Sequence, residues 1–168
     1  MADRRIPDLL EAWREAERRW EDTRPDDPAY DDVRSDVLSA WMAYQQAVGS
    51  VDREEVVLVA DNDMRYVAAN EAAHRVLGYV DGEIVGRTVS DLTIRMERDR
   101  AVELWRDFRL AGRQDGEYVL LARNGSALPA RYTARAHFPV ADLHTSRLTV
   151  IAPGADSTRQ DGSAAPRA

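Results

Sequence analysis

Apolar residues recur every three to four positions in two stretches near the start of the chain, which is the spacing of one helical face. The first stretch covers residues 7–22 and the second covers residues 32–48, and Pro7 suits the first turn of a helix. The segment TRPDDPAYDD, with two prolines and four acidic residues, breaks the pattern between them. The pattern therefore predicts two helices joined by a polar turn, the second ending at Gly49-Ser50.

From residue 54 onward the apolar spacing changes to two, which is typical of β-strands. EEVVLVAD and MRYVAA are two strand-like runs, short helices follow them, and residues 98–112 form a longer helical pattern that stops at Gly112. Three more strand-like runs come next, namely GEYVLLAR, SALPARYTARAHF and LHTSRLTVIA. The order predicts an α+β fold, in which a five-stranded antiparallel sheet carries helices on one face and is preceded by two N-terminal helices.

The same pattern divides the chain into three parts. Residues 1–50 form a helical extension, residues 51–152 form the single folded domain, and residues 153–168 are small, polar and rich in Gly, Ser and Pro. Such a composition cannot bury enough apolar surface to order a chain, so we expect the last part to be a disordered tail.

Composition narrows the class of protein. The chain is 44% hydrophobic with a formal net charge of −7, which fits a globular core under an acidic surface. No run approaches the roughly 18 apolar residues of a membrane span, and the start lacks the apolar stretch of a signal peptide. We therefore expect a cytoplasmic protein that binds neither a membrane nor nucleic acid, because an acidic surface is repelled by phosphates.

Several kinds of chemistry are excluded by the residues that are missing. The chain has no Cys, and all 23 of its basic residues are Arg, so it has no thiolate nucleophile and no Lys for a Schiff base. His74, His137 and His144 lie far apart and form no metal-binding pattern, and we expect all three at the surface. Neither a nucleophile with its base nor a catalytic pair of acids stands out, so we predict no metal site, no catalytic residue and no enzyme.

The middle of the chain contains the run NEAAHRVLGYVDGEIVGR, in which Asn-x-Ala and an apolar residue precede Leu-Gly-Tyr and then Glu-apolar-apolar-Gly. This run resembles the signature of the PAS family of sensor domains. The positions in register are Asn70, Ala72, Leu77, Gly78, Tyr79, Glu83 and Gly86. ARNGSALPARYTARA is similar to the PAS hairpin, and the resemblance covers residues 54–152. It implies a cup between the sheet and the short helices, which holds a ligand or is filled by side chains.

The register of the ARNGSALPARYTARA hairpin decides which side chains face that cup. A two-residue turn would pair Leu121 with Leu128, whereas a three-residue loop with a Gly bulge would pair Tyr118 with Tyr132. PAS hairpins are similar to the second arrangement, which turns Ala134 inward with its neighbours. The resemblance then implies a ligand-binding set of Ala73, Val76, Leu77, Leu104, Trp105, Phe108, Tyr118, Leu120, Ala130, Tyr132, Leu148 and Val150. The occupant would be an apolar or aromatic small molecule, or the side chains themselves.

The opposite face of the sheet would carry an apolar strip that needs a cover. We expect the second N-terminal helix to supply it, from the same chain or from a partner copy, and we expect a homodimer. The residues predicted for cover or dimerisation are Trp13, Trp20, Val37, Trp41, Tyr44, Val119 and Leu121.

The resemblance leaves the cofactor unknown. Flavin-adduct members of the family need a Cys, and haem-binding members commonly place a His on the long helix; this chain has neither. The predicted function is a cytoplasmic PAS sensory or protein-interaction module that binds a small molecule or a signalling partner and acts in trans through its front helices. The alternative is a small enzyme with the ketosteroid-isomerase-like cone fold, which also places helices before a curved sheet.

Overall fold

The computed structural model describes residues 5–48 and 54–152 of the chain. The predicted helix end at Gly49-Ser50 and the predicted disordered tail lie outside these residues. The helices are α1 (Arg5–Glu21), α2 (Tyr30–Val48), α3 (Glu71–Leu77) and α4 (Arg98–Ala111). The strands are β1 (Val56–Asp61), β2 (Tyr66–Ala69), β3 (Arg113–Leu121), β4 (Ala127–Ala136) and β5 (Leu143–Val150).

The five strands form one sheet in the order β2-β1-β5-β4-β3, and each neighbouring pair is antiparallel. The last strand therefore sits in the middle of the sheet, between the first strand and the β3–β4 hairpin. Helices α3 and α4 lie against one face, and α1 and α2 pair with each other before the sheet begins. The predicted fold class is confirmed, and the cone fold is not the fold of this chain.

Asn70 explains why a seven-residue helix can start where β2 ends. Its side-chain oxygen accepts a hydrogen bond from Ala73 N–H at 2.9 Å, as expected for a helix N-cap, and another from Val57 N–H at 3.0 Å. Its amide nitrogen donates to the carbonyl of Glu55 at 2.8 Å. One side chain thus caps α3 and fastens it to β1. Gly78, at φ 76°, ends the helix in the left-handed conformation that favours glycine.

The segment between α3 and α4 is less helical than the pattern predicts. Residues 80–86 form turns, and they are followed by two short 3₁₀ helices, Val89–Leu92 and Arg95–Glu97. Glu83 organises the turns, since its carboxylate accepts from Val80 N–H at 2.9 Å and meets Arg123 at 3.1 Å. Of the short helices predicted between β2 and α4, one is α3, and turns and 3₁₀ helices take the place of the other.

Both predicted hairpin registers are wrong. Tyr118 pairs with Ala130, Leu120 with Leu128 and Leu121 with Ala127. The loop has three residues, but it spans 123–125 and not 124–126, and Gly125 occupies its left-handed position at φ 86°. The shift moves every cross-strand pair by two residues, and because side chains alternate with a period of two, the faces stay as predicted.

Two apolar clusters sandwich the sheet. The inner cluster lies between the sheet and helices α3 and α4, and it includes Leu58, Leu77 and Leu120. The outer cluster lies under α1 and α2, where Val37 and Trp41 contact Val57, Val59 and Leu143 of β1 and β5. The front helices thus cover the sheet of their own chain.

The position of this cover corrects one expectation. Val119 and Leu121 were predicted to lie under α2, but they sit on the edge strand β3 and are outside the outer cluster. The helix pair lies over β1 and β5 because their outward residues, Val57, Val59 and Leu143, are the apolar ones. Half of the outward positions of the β3–β4 hairpin are charged, and charged side chains are more stable in contact with solvent than under an aromatic cover.

Candidate functional site

A cavity of about 70 Å³ lies between the inner face of the sheet and helix α4. Seven of the predicted ligand-binding residues line it: Leu104, Trp105, Phe108, Tyr118, Leu120, Tyr132 and Leu148. Ala134, which was expected to face inward, lines it too. The strands supply the floor and one wall, and α4 closes the opposite side.

The other predicted residues lie elsewhere. Ala73, Val76, Leu77 and Ala130 belong to the inner cluster beside the cavity and do not line it, because α3 packs directly on β1. Val150 is half-buried near the end of β5 and pairs with Ala130. The cup end nearest α3 is therefore filled by side chains, and the open volume is concentrated under α4.

Half of the residues that sequence reasoning missed lie on the adjacent strands β1 and β5. They are Leu58, Ala60, Tyr66, Val89, Ala101, Gln114, His144 and Ser146. Leu58, Ala60, His144, Ser146 and Leu148 alternate along β1 and β5, so the pairing of these two strands would have revealed them. That pairing could not be read from the run of residues 56–60, all of them apolar and buried, which shows no preferred face.

His144 was expected at the surface, but its side chain is 1% exposed. Its Nδ1 accepts from the backbone N–H of His137 at 3.2 Å, so that nitrogen carries no proton. Its Nε2 therefore holds the proton and donates to the side-chain oxygen of Asn62 at 2.9 Å. Asn62 in turn donates to Asp142 at 2.9 Å. The network fixes one neutral tautomer of a buried imidazole at the cavity wall.

The charge state of His144 follows from this burial. Desolvation lowers its pKa from 6.5 to about 4, with smaller contributions from neighbouring His137 and Arg109. The rings of Trp105 and Phe108 stand edge-on to the imidazole at 5.2 and 5.9 Å. His144 is thus neutral near pH 7 and enclosed by aromatic groups.

The other two histidines differ from it. His137 is exposed, as expected, and its ring lies 5.0 Å from that of His144. His74 is half-buried, and its Nδ1 is buried without a hydrogen-bond partner among the described residues. No group of three or more His, Asp or Glu residues suited to a metal ion occurs in residues 5–48 and 54–152.

Tyrosine hydroxyls provide further polar groups of the cavity. Tyr132 donates to the side-chain oxygen of Gln114 at 2.9 Å, and Tyr118 shares a hydrogen bond with the hydroxyl of Thr93. Burial raises the pKa of Tyr66, of Tyr118 and of Tyr132. All three hydroxyls are therefore protonated near pH 7, and the side chains that line the cavity carry no net charge.

The dimensions of the cavity limit its contents. A volume of about 70 Å³ accommodates a few water molecules, since one occupies roughly 10–15 Å³ by this measure. It does not fit a haem or a flavin, because pockets for such ligands measure roughly 300–1,000 Å³. Both ring nitrogens of His144 are also engaged, so the imidazole is not free to ligate iron. A larger ligand requires α4 to move.

Most of the residues predicted for cover or dimerisation pack against other residues of their own chain. Trp41 and Val37 are buried in the outer cluster, with Trp13 and Trp20 half-buried at its border. The ring of Trp13 stacks on Tyr44 at 5.5 Å, and Trp20 contacts Tyr30 at 4.6 Å. None of the helices in the described part of the chain is both long and apolar enough to cross a membrane.

Comparison with known proteins assigns the family. The family model of the PAS domain matches residues 54–152, more than half of the chain. The chain belongs to the PAS domain family. The match begins two residues before β1 and ends two residues after β5, so the sheet, the cavity and α4 lie within the matched part, while α1 and α2 precede it.

Solved PAS domains share the fold at low sequence identity. The PAS domain of an HTR-like protein from Haloarcula marismortui has a TM-score of 0.56 at 18% identity, covering 70% of this chain and 98% of that one. A PAS domain from Colwellia psychrerythraea has a TM-score of 0.56 at 14% identity, covering 66% and 97%. A LOV protein from Rhodobacter sphaeroides has a TM-score of 0.52 at 17% identity, covering 61% and 62%. No curated protein sequence matches the chain.

Proposed function

We propose that this PAS domain is a sensory and protein-interaction module that responds at its cavity and signals in trans through α1 and α2. The observation that carries the proposal is that β1 contributes side chains to both faces of the sheet. Leu58 and Ala60 of this strand line the cavity, while Val57 and Val59 contact the outer cluster under α2. A change in the cavity that displaces β1 therefore acts on the seat of the front helices.

A second connection runs through β5 and the turn before it. His144 at the cavity wall accepts the N–H of His137, and the following residue, Thr145, donates its hydroxyl to the carbonyl of Phe138 at 2.8 Å. The ring of Phe138 meets the ring of Trp41 edge-on at 5.3 Å. Displacement of His144 would thus shift the backbone that holds Phe138 under α2.

The signal itself would be a small uncharged molecule or a partner protein that opens the α4 side. Residues that line the cavity are largely apolar, and the hydroxyl groups of Tyr118 and Tyr132 and the imidazole of His144 already have partners, which favours a compact apolar or aromatic compound over an ion. Native mass spectrometry of freshly purified protein tests this, because a retained compound adds its mass to the chain. Protein that carries no added mass favours the partner-protein form of the proposal.

Homodimerisation is part of the proposal, and the structure shifts its expected surface. The aromatic residues Trp13, Trp20, Trp41 and Tyr44 pack within their own chain. A second copy would then contact the outer side of the helix pair, where α1 and α2 face away from the sheet. Sedimentation at tens of micromolar should give the mass of a dimer, and a monomer there would contradict this part of the proposal.

The coupling can be tested by filling the cavity. Ser146→Val adds apolar volume at a half-buried residue that lines it, on a strand that accepts β-branched residues. We expect hydrogen exchange of the α2 amides to change several-fold, because β5 also supports the outer cluster. Thr149→Val is the matched control, since Thr149 is exposed on the same strand and does not line the cavity. Changes confined to the inner face in Ser146→Val would contradict signalling through the front helices.

A further inference from the structure

A groove of about 440 Å³ runs along the outer face of the sheet beside α2, on the side opposite the cavity. Strands β3, β4 and β5 form its floor, and Trp41 and Gln45 of α2 form one wall. The charged side chains that line it are Arg113, Arg135 and Arg147 against a single carboxylate, Asp115. The groove is therefore a cationic site on a chain whose formal net charge is −7.

The positions of two of these arginines are unfavourable for the fold alone. Arg113 and Arg135 are direct partners across β3 and β4, and like charges in that position destabilise a sheet. Four residues further along the same hairpin, Glu117 faces Arg131 as an ion pair at 3.5 Å. Within residues 5–48 and 54–152, no hydrogen bond or ion pair engages the guanidinium of Arg113. An anion between Arg113 and Arg135 would remove this repulsion.

The other groups of the groove are already held in position. The guanidinium of Arg135 lies 4.3 Å from the centre of the Phe138 ring, and that of Arg147 lies 3.6 Å from a carboxylate oxygen of Glu55. Trp41 is 1% exposed, and its indole N–H is buried without an acceptor among the described residues. A buried donor left unpaired costs roughly 1–3 kcal/mol. The groove thus has two cations held in position, Arg135 and Arg147, beside the guanidinium of Arg113.

We propose that this groove binds a carboxylate or phosphate group of a small molecule, held between the guanidinium groups of Arg113 and Arg135. Guanidinium groups donate paired hydrogen bonds to such oxyanions, which makes Arg the usual residue for this chemistry. The Phe138 ring offers an apolar surface to the rest of the molecule. Because α2 is one wall, the bound molecule would secure α2 to the sheet. The site is separate from the cavity and gives the module a second input.

Titrations of the whole chain, followed by amide NMR spectra, test the site with phenyl phosphate, benzoate and the uncharged benzyl alcohol. We expect saturable shifts in β3 and β4 with at least one of the two anions, and none with the alcohol. Arg113→Gln and Arg135→Gln should each weaken binding at least roughly tenfold, as loss of a charged hydrogen bond does. Arg131→Gln, on the same strand face but outside the groove, should bind with the affinity of the unaltered chain.

The anion that binds more tightly identifies the charged group as phosphate or carboxylate. Three results would overturn the proposal: no saturable shift with either anion, equal affinities in Arg113→Gln and Arg131→Gln, or equal binding of benzyl alcohol. The last result would mean that the groove is an apolar crevice. Because Arg113 and Arg135 are both exposed, the variants should keep the fold. Amide spectra recorded without ligand verify this if they match the spectrum of the unaltered chain away from the substituted residue.

Discussion

The two faces of the sheet differ in their packing, although neighbouring residues of the same strand contribute to both. On the outer face, Val57 and Val59 lie beneath Trp41 in an apolar cluster closed by aromatic rings. On the inner face, Leu58 and Ala60 border a cavity that also contains hydrogen-bonded Tyr, Gln and His side chains. The outer face excludes water and fixes the front helices, whereas the inner face keeps space and polar groups. This division suits the proposed sensory role, because a change at the inner cavity can reach the well-packed contact with the front helices through β1, which both faces share.

Removal of Trp41 should break the outer face and give the largest effect. Trp41→Ala deletes a side chain that is 1% exposed in the centre of the cluster. Such truncations cost about 3–5 kcal/mol of unfolding free energy. Urea unfolding measures this cost directly.

The matched control is Met96→Ala, since Met96 is 92% exposed. Its effect should stay within about 0.5 kcal/mol, as is usual at the surface. A Trp41→Ala variant that loses less than about 1 kcal/mol would mean that α2 contributes little to the fold, in conflict with its role as a fixed cover.

Acid should act on the inner face through His144. Its pKa is about 4 in the folded protein against 6.5 as the ordinary value, so between these pH values the unfolded chain binds a proton that the folded chain does not. Titration of His144 therefore leaves the free energy of unfolding unchanged above pH 6.5 and lowers it as the pH drops from 6.5 towards 4. At 1.36 kcal/mol for each pH unit, this one group accounts for a loss of roughly 3 kcal/mol.

Urea unfolding at several pH values checks this expectation by comparing the unaltered chain with His144→Gln. The variant cannot titrate at this position, so its stability should depend much less on pH between 6.5 and 4. Equal losses in both proteins would show that other groups cause the acid effect. The test also separates the two faces, since the residues of the outer cluster carry no titratable group.

Much of the fold could be predicted from local signals. Asn70 and Gly78 act at the backbone positions they occupy, so their roles as helix cap and helix stop need no knowledge of distant contacts. The faces of β3 and β4 were also correct despite the wrong register, because an error of two residues preserves the alternation of side chains. Tyr118, Leu120, Tyr132 and Ala134 of the cavity wall were identified for this reason.

The parts that could not be predicted depend on pairing between distant segments. His144 looks like a polar strand residue until β5 is placed beside β1, where it becomes a buried group bonded to Asn62. The predicted location of the helical cover was wrong for a similar reason, because whether α2 covers β3 or β1 depends on the order of the strands in the sheet. Short-range patterns contain no information on either point.

The smallest expected effect concerns the groove at the border of the outer face. Arg113→Glu places opposite charges directly across the hairpin from each other and should raise the unfolding free energy by about 0.2–1 kcal/mol. Arg131→Glu is the reverse control, because it puts two acidic residues opposite each other and should destabilise by a similar amount. Urea unfolding of both variants measures the pair.

A gain in stability for Arg113→Glu would mean that the natural chain keeps Arg113 at a cost to its fold. Cross-strand repulsion is the physical reason, since the Glu117–Arg131 pair shows that the same hairpin accommodates opposite charges elsewhere. If Arg113→Glu instead destabilises the protein, Arg113 has a structural role in the edge strand, and the repulsion argument for an anion at the groove loses its basis. The inner cavity would then be the one proposed ligand site that remains in the described part of the chain.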